Sequence, residues 1–302
     1  RRDMRAAHRG FTMTAHVLRW VLGELARQNK VVLATVLNTS GSVPGKTGAR
    51  LGMSSNRFAW TGTVGGAGLE HRILKRCEEL LSDQNKPFAE VLTFGLNKGA
   101  KGYEVTPLDS LCGGRVSIAL EVMIPMPHVH IMGGGHCGEA LASTVHGLGW
   151  SYSVHDTREE YVSSEKYPHA VERSSSSVSG LFKDESGESL GRFSDILLLG
   201  HDWAEDEERL LSLLRLLDGP EALLNGVQSP RIGVIGSRSK WRAFEKTCLK
   251  DGVSQRLLDQ VICPIGLHIG AQSPEEIAVA VVAQIMSMHK GVDPNDPTWR
   301  QS

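Results

Sequence analysis

Apolar positions along the chain follow two different periods. Val17, Leu18, Val21, Leu22 and Leu25 recur at helical spacing, with Thr14 placed to cap the helix they predict. Val31-Val-Leu-Ala-Thr-Val-Leu37 is instead a continuous β-branched run, which predicts a buried strand. Ser55-Asn56 predicts a hairpin turn, with Phe58–Val64 returning as a strand. Gly65-Gly66-Ala67-Gly68 then opens a second helix, whose face carries Leu69, Ile73, Cys77 and Leu80. Ala89–Phe94 reads as a strand, 95–109 as a long irregular loop, and Arg115–Val122 as an alternating strand.

Ile124-Pro-Met-Pro127 interrupts the pattern and reads as a linker. The organisation expected is a loose tail over 1–13, a domain over 14–125, a second domain over 128–290, and a disordered tail over 291–302. After the linker the order is strand, glycines, helix, strand: Val129, Ile131 and Met132, then Ala140, Leu141, Val145 and Leu148, then Trp150–Asp156. Residues 163–192 are rich in Ser, Glu, Lys and Gly and predict a variable surface excursion. Asp195–Gly200 and Arg231–Ser237 read as buried strands, with a charged helix from Asp206 to Leu217 between them. Ser273 caps a last helix, Pro274 takes its first position, Glu276 closes a capping box, and Lys290-Gly291 ends it. The fold class is α/β: an N-terminal α/β domain, then a Rossmann-like domain with a mostly parallel sheet.

Composition narrows the partners. The 302 residues are 40% hydrophobic and 22% charged, with formal net charge −1, so no electrostatic case exists for nucleic acid or an anionic membrane. No apolar run approaches the ~18 residues of a membrane span. The start Arg-Arg-Asp-Met-Arg lacks the apolar region of a signal peptide, which predicts a cytoplasmic protein. Five cysteines (77, 112, 137, 248 and 263) contain no C-x-x-C pair, and an odd number argues against a full disulfide framework.

The densest chemistry lies in His128–Ala142. Gly133, Gly135 and Gly138 have the G-x-G-x-x-G spacing of a dinucleotide-binding turn. The first permits the tight turn, the second lets backbone approach a phosphate, and the third lets the helix pack on its strand. The helix N-terminus offers unpaired N–H groups and a positive dipole end to an anion. Asp156 follows at about the distance of a ribose-binding acid. Gly65–Gly68 is a second strand–glycine–helix junction, either an anion site or tight helix packing, with Glu70 in the first turn. Cys112 precedes Gly113-Gly114 in a turn, as an accessible thiol or a small buried residue. His201 and Asp202 end a strand where parallel-sheet ligands bind, or act as loop and cap. Arg238 and Lys240 open a helix after Ser237 and suit a phosphate. Gly45-Lys46-Thr47 imitates a P-loop, but Ser40 replaces its first glycine and a strand follows, so ATP binding there is excluded.

Together these motifs resemble the xanthine dehydrogenase accessory (XdhC/CoxI) family. The pieces are Gly41-Ser42-x-Pro44 with Gly48-Ala49-Arg50, Gly62-Thr-Val-Gly-Gly-Ala-Gly-Leu-Glu70, and Cys112-Gly-Gly114. In the second half they are Gly133-Gly-Gly-His136-Cys-Gly138, Asp156-Thr-Arg158, Ile235-Gly-Ser237-Arg238 with Lys240, and Pro264-Ile-Gly-Leu267 through Glu276-Ile-Ala278. Ala67 stands where the family usually has a third glycine, and Cys263 where a smaller residue is usual. The resemblance implies a non-catalytic protein that binds molybdenum cofactor (molybdopterin) transiently, helps mature it, and inserts it into a molybdenum hydroxylase apoenzyme. With the residue reading above, the candidate cofactor contacts are Gly65, Gly66, Glu70, Cys112, Gly133, Gly135, His136, Gly138, Asp156, Arg158, His201, Ser237 and Arg238, with metal ligands unassigned. A nucleotide at the Rossmann glycine loop, a cysteine desulfurase partner and a homo-oligomer are further expectations. The competing reading is an NAD(P)-dependent oxidoreductase using the Rossmann domain.

Overall fold

The computed structural model describes residues 3–43, 45–83, 85–96, 105–107, 114–218 and 229–296, with backbone alone for 3–14, 67 and 105–107. Two compact units divide the chain, Arg1–Pro125 and Met126–Ser302.

The first unit is built on one six-stranded sheet. Its strands are β1 (Val31–Ser40), β2 (Arg50–Ser54), β3 (Trp60–Gly62), β4 (Phe88–Gly95), β5 (Val105–Pro107) and β6 (Arg115–Met123), in the order β3-β2-β1-β6-β4-β5. All pairings are antiparallel except β4 with β5. Central β1 explains its continuous apolar run, since both of its faces are covered. Val32, Ala34 and Val36 pack with Leu69, Ile73, Cys77 and Leu80 of α2 (Ala67–Asp83), while Val31 and Leu33 pack with Val17 and Val21 of α1 (Asp3–Ala26).

Two expectations change here. The helix read from Thr14 starts at Asp3, so the segment expected as a tail is helical; Met4, Ala6 and Ala7 favour helix intrinsically and no proline interrupts them. The segment read as an irregular loop contributes β5, a three-residue strand that exists by pairing with Thr93–Gly95 and carries no periodicity of its own.

The second unit is a parallel α/β sheet: β7 (His128–Met132), β8 (Ser151–His155), β9 (Arg173–Ser174), β10 (Asp195–Leu198) and β11 (Arg231–Val234), ordered β11-β10-β7-β8-β9. Numbered from β7, that order is 3-2-1-4-5, and a parallel bridge from Gly233 to Ile262 extends it. One face packs with α3 (His136–Gly147) and the last helix; Ile131, Leu141, Val145, Val281 and Ile285 meet there. The other packs Ile196, Leu198, Leu210, Leu214 and Phe244. Both faces are covered, so every residue of β7 and β10 is buried, including His128, His130 and Asp195 beside their apolar neighbours.

The 163–192 segment lies largely at the surface, as expected, but it is ordered and anchored. It supplies β9 and the short helices α4 (Val178–Leu181) and α5 (Gly187–Leu190), and it buries Tyr167, Val178 and Leu190. Scattered apolar anchors within a serine-rich composition are enough to hold it. The remaining helices are α6 (Trp203–Leu217), α7 (Arg238–Lys250), α8 (Gln255–Leu258) and α9 (Pro274–Lys290). α9 has the capping box of Ser273 and Glu276, Pro274 at its start, and Gly291 in the left-handed region at its end. Of the C-terminal tail, 297–302 lies outside the described residues.

Candidate functional site

In an open parallel sheet, ligands bind beyond the strand carboxyl ends where the strand order reverses. Here that point lies between β7 and β10. Gly133 leaves β7 at φ +124°, and a Cβ on it would stand 2.6 Å from the Leu199 carbonyl carbon after β10, so only glycine fits. A Cβ on Gly138 would overlap the Gly133 carbonyl oxygen, so α3 packs onto the turn only through glycine. Gly135 is different. It is the N-cap of α3 in ordinary extended conformation, with nothing within 4 Å of a Cβ position. Its freedom from a side chain serves no packing need.

The helices of this unit differ at their N-termini. Asp202 caps α6, Ser237 caps α7 and Ser273 caps α9 through side-chain oxygens. The N-cap of α3 makes no side-chain hydrogen bond. Its first-turn N–H groups and dipole therefore face the cleft without a competing side-chain acceptor.

Asp156 sits at the end of β8, buried, and all its acceptor capacity is taken. Its Oδ2 accepts from the Gly134 N–H (2.9 Å) and from Arg158 Nη2 (3.0 Å). Its Oδ1 accepts from the Arg158 N–H (3.1 Å) and Arg158 Nε (2.8 Å). Burial pushes the carboxyl pKa up, but the side-chain and backbone hydrogen bonds from Arg158 and the one from Gly134 outweigh it and hold it at about 2. The Arg158 guanidinium lies over the Tyr161 ring at 3.7 Å, and Tyr161 lies against the glycine turn, since a Cβ on Gly134 would overlap its carbonyl oxygen.

Beyond β10 and β11, His201 is exposed, Asp202 spends its carboxylate on the Ala204 and Glu205 amides, and Ser237 accepts from the Lys240 N–H. Arg238 is exposed. Lys240, read as a phosphate cation, is not available: it is buried, with Nζ donating to Asp206 Oδ2 at 2.7 Å. Asp206 also accepts from Arg209 Nη1 (3.0 Å) and from the Gly200 N–H (3.2 Å). Arg209 reaches Glu205, whose other oxygen accepts from Thr157 Oγ1. A buried ionic network thus ties together the loops after β8, β10 and β11. Asp206 and Arg209 escaped the sequence reading, although Asp206 shares the α6 stripe of Leu210, Leu213 and Leu217, and a charge on an apolar stripe is the signal that would have found it.

In the first unit, Gly65 (φ +99°) and Gly66 (φ +51°) make the left-handed turn into α2. Thr63 Oγ1 donates to Glu70 and accepts from the Gly65 N–H. Gly45 packs on the Val64 backbone, and Gly114 packs on Ser40 and Val43, so the turn, the 41–48 loop and the start of β6 converge. Gly48 (φ +84°) leads to β2 and no helix follows Thr47, unlike a P-loop. Cys112 lies outside the described residues.

The described thiols are held protonated. Burial raises Cys77 to about 12 and Cys248 to about 11, and it also raises Cys137 and Cys263. Among the described residues no group of three His, Cys, Asp or Glu could hold a metal ion. Burial likewise lowers three histidines at the centre of the sheet: His128 to about 4, His130 well below its usual range, and His155. His155 Nε2–H donates to the Ser176 carbonyl, and His130 stacks on Phe193.

The strand order and the glycine turn define a Rossmann-type domain. The XdhC Rossmann domain model matches residues 129–285, and the XdhC and CoxI family model matches 24–95. The chain belongs to the XdhC/CoxI family. Uncharacterized protein YqeB of Escherichia coli (strain K12) is 26% identical over 269 residues, covering 88% of this chain and 45% of that protein. The chain thus spans about half the length of this curated relative. A crystal structure described as a xanthine dehydrogenase from Bacillus halodurans aligns over 92% of this chain and 97% of its own, at 19% identity and TM-score 0.44. An imine reductase variant from Myxococcus stipitatus, in complex with NAD+, aligns over 55% and 60% at 13% identity and TM-score 0.28. Among the described residues no helix is long and apolar enough to cross a membrane.

Proposed function

We propose that this chain binds molybdenum cofactor as cargo on the glycine turn of its Rossmann domain and hands it to a xanthine dehydrogenase-type apoenzyme. The observation that carries the reading is the start of α3, which no side chain caps, beneath the open position at Gly135. A pterin carrying a phosphate suits such a start. First-turn amides donate to the anion, and neutral backbone groups of the glycine turn can meet the pterin. Among the described residues no metal-ligand set is present, and burial raises the pKa of Cys137 and Cys263. Cys112, two residues before Gly114, is proposed as the soft ligand or sulfur carrier, with a cysteine desulfurase as sulfur source and a second copy of the chain as assembly partner.

Purification from a cofactor-producing host, followed by pterin fluorescence and metal analysis, tests this. Co-purifying pterin is expected with the wild-type chain and its loss with Gly135→Val. Bound nicotinamide in place of pterin, with measurable hydride transfer, would establish the second reading, an NAD(P)-dependent oxidoreductase, which the 3-2-1-4-5 strand order favours.

A further inference from the structure

A ribose-reading carboxylate needs vacant lone pairs to accept from two hydroxyls, and an ionised carboxylate has about four acceptor positions in all. At Asp156 four donors already fill them, and the residue is 2% exposed. The usual function of an acid at the end of the second strand is therefore absent. The group presented instead is Arg158. Its Nε and Nη2 are spent on Asp156, its plane rests on Tyr161, and its side chain stays 30% exposed. Nη1 makes no hydrogen bond or ion pair among the described residues. One carboxylate therefore joins the guanidinium to the Gly134 amide of the turn that leads into α3. Lys166 Nζ lies 4.8 Å from the same Tyr161 ring while pairing with Glu139, which adds a second cation to the rim.

We infer that Arg158 is a specificity residue of this cleft, with Asp156 as its anchor, and that together they select ligands bearing a phosphate monoester over ligands offering only a ribose diol. A fixed guanidinium matches a phosphate dianion in charge and geometry and offers a diol no acceptor. The inference rests on the glycine turn being the ligand site, as proposed above, but not on the ligand being a pterin.

The test is a titration of two pairs of probes against the full chain. One pair is NADP+ and NAD+. The other is the oxidised, fluorescent pterin derived from molybdenum cofactor, with its phosphate intact or removed by phosphatase. At least tenfold preference for the phosphorylated member of one pair is expected. Arg158→Gln should reduce that preference to within about twofold of unity, and raised salt should weaken it. Arg158→Lys, which keeps the charge but loses the bidentate hold on Asp156, should retain part of it and guards against a loss caused by misfolding. Equal binding within both pairs, failure of every probe to bind, or a preference unchanged in Arg158→Gln would overturn the inference. A preference seen only with the dinucleotides would keep it and remove the molybdenum cofactor reading.

Discussion

The Tyr167 hydroxyl lies against the first turn of α3, 2.9 Å from where a Cβ on Gly138 would stand. Helix, glycine turn and the segment after β8 are therefore locked at one point, with the Gly133 carbonyl oxygen closing the other side. Gly138→Ala should lower stability by roughly 1–3 kcal/mol, the usual range for overpacking. Gly135→Val meets open space in an extended conformation. It should cost about 1 kcal/mol or less, the loss of a glycine N-cap, while abolishing ligand binding. Urea unfolding of both variants, with binding measured on each, checks the contrast; equal stability losses would show that Gly135 too is a packing residue.

The Asp206–Lys240–Arg209 network predicts a large effect from a residue outside the cleft. Lys240→Met leaves Asp206 buried with fewer donors, and Asp206→Leu leaves Lys240 buried without its carboxylate and Arg209 with Glu205 alone. Breaking a buried pair typically costs about 3–5 kcal/mol, so Asp206→Leu should be the more damaging of the two. Denaturation midpoints decide it. A change below about 1 kcal/mol in both would mean the charges are better hydrated than their burial indicates.

This network also marks what could be read in advance. α9 was legible because Ser273, Pro274, Glu276 and Gly291 act within a few residues of one another. The glycine turn was legible because its spacing is local. Lys240 was misread because its partner, Asp206, stands 34 positions earlier and meets it only once α6 and α7 pack. Asp156 was placed correctly at the strand end, but its saturation depends on how the chain turns back to bring Arg158 and Gly134 onto one carboxylate. β5 and β9 were invisible because two- and three-residue strands take their conformation from neighbours.

The buried histidines set an acid limit for the second unit. Burial holds His128, His130 and His155 below the usual range, and cations nearby, including Arg192 and Arg209, push His130 the same way. Their folded pKa values lie below those of the unfolded chain, so the unfolded state takes up protons first. Stability is then complete above about pH 6.5 and declines as pH falls from there toward about 4. Urea midpoints at about pH 7.5 and about pH 5 should differ, and His130→Phe, which keeps a ring against Phe193, should reduce the difference. A midpoint independent of pH across that span would contradict the account.

Thiol reactivity offers a separate check. Cys77 and Cys248 are buried with raised pKa values, and Cys137 and Cys263 are raised as well. At neutral pH all four should alkylate slowly, because the thiolate is the reactive form. Peptide mapping after brief iodoacetamide treatment should place the fast modification at Cys112, and Cys112→Ser should remove it while lowering hydroxylase activation. Fast labelling at Cys137 would instead show that the α3 dipole outweighs burial there.

The bare start of α3 also works as a clock. In α6, α7 and α9, a capping oxygen holds first-turn amides against exchange with heavy water, whereas those of α3 have no such guard. Deuterium should enter residues 136–138 sooner than the opening turns of the other three helices. An anion seated there would slow that entry at those amides alone, so the position of the cargo is recorded in mass shifts of one short peptide, without any label on the ligand.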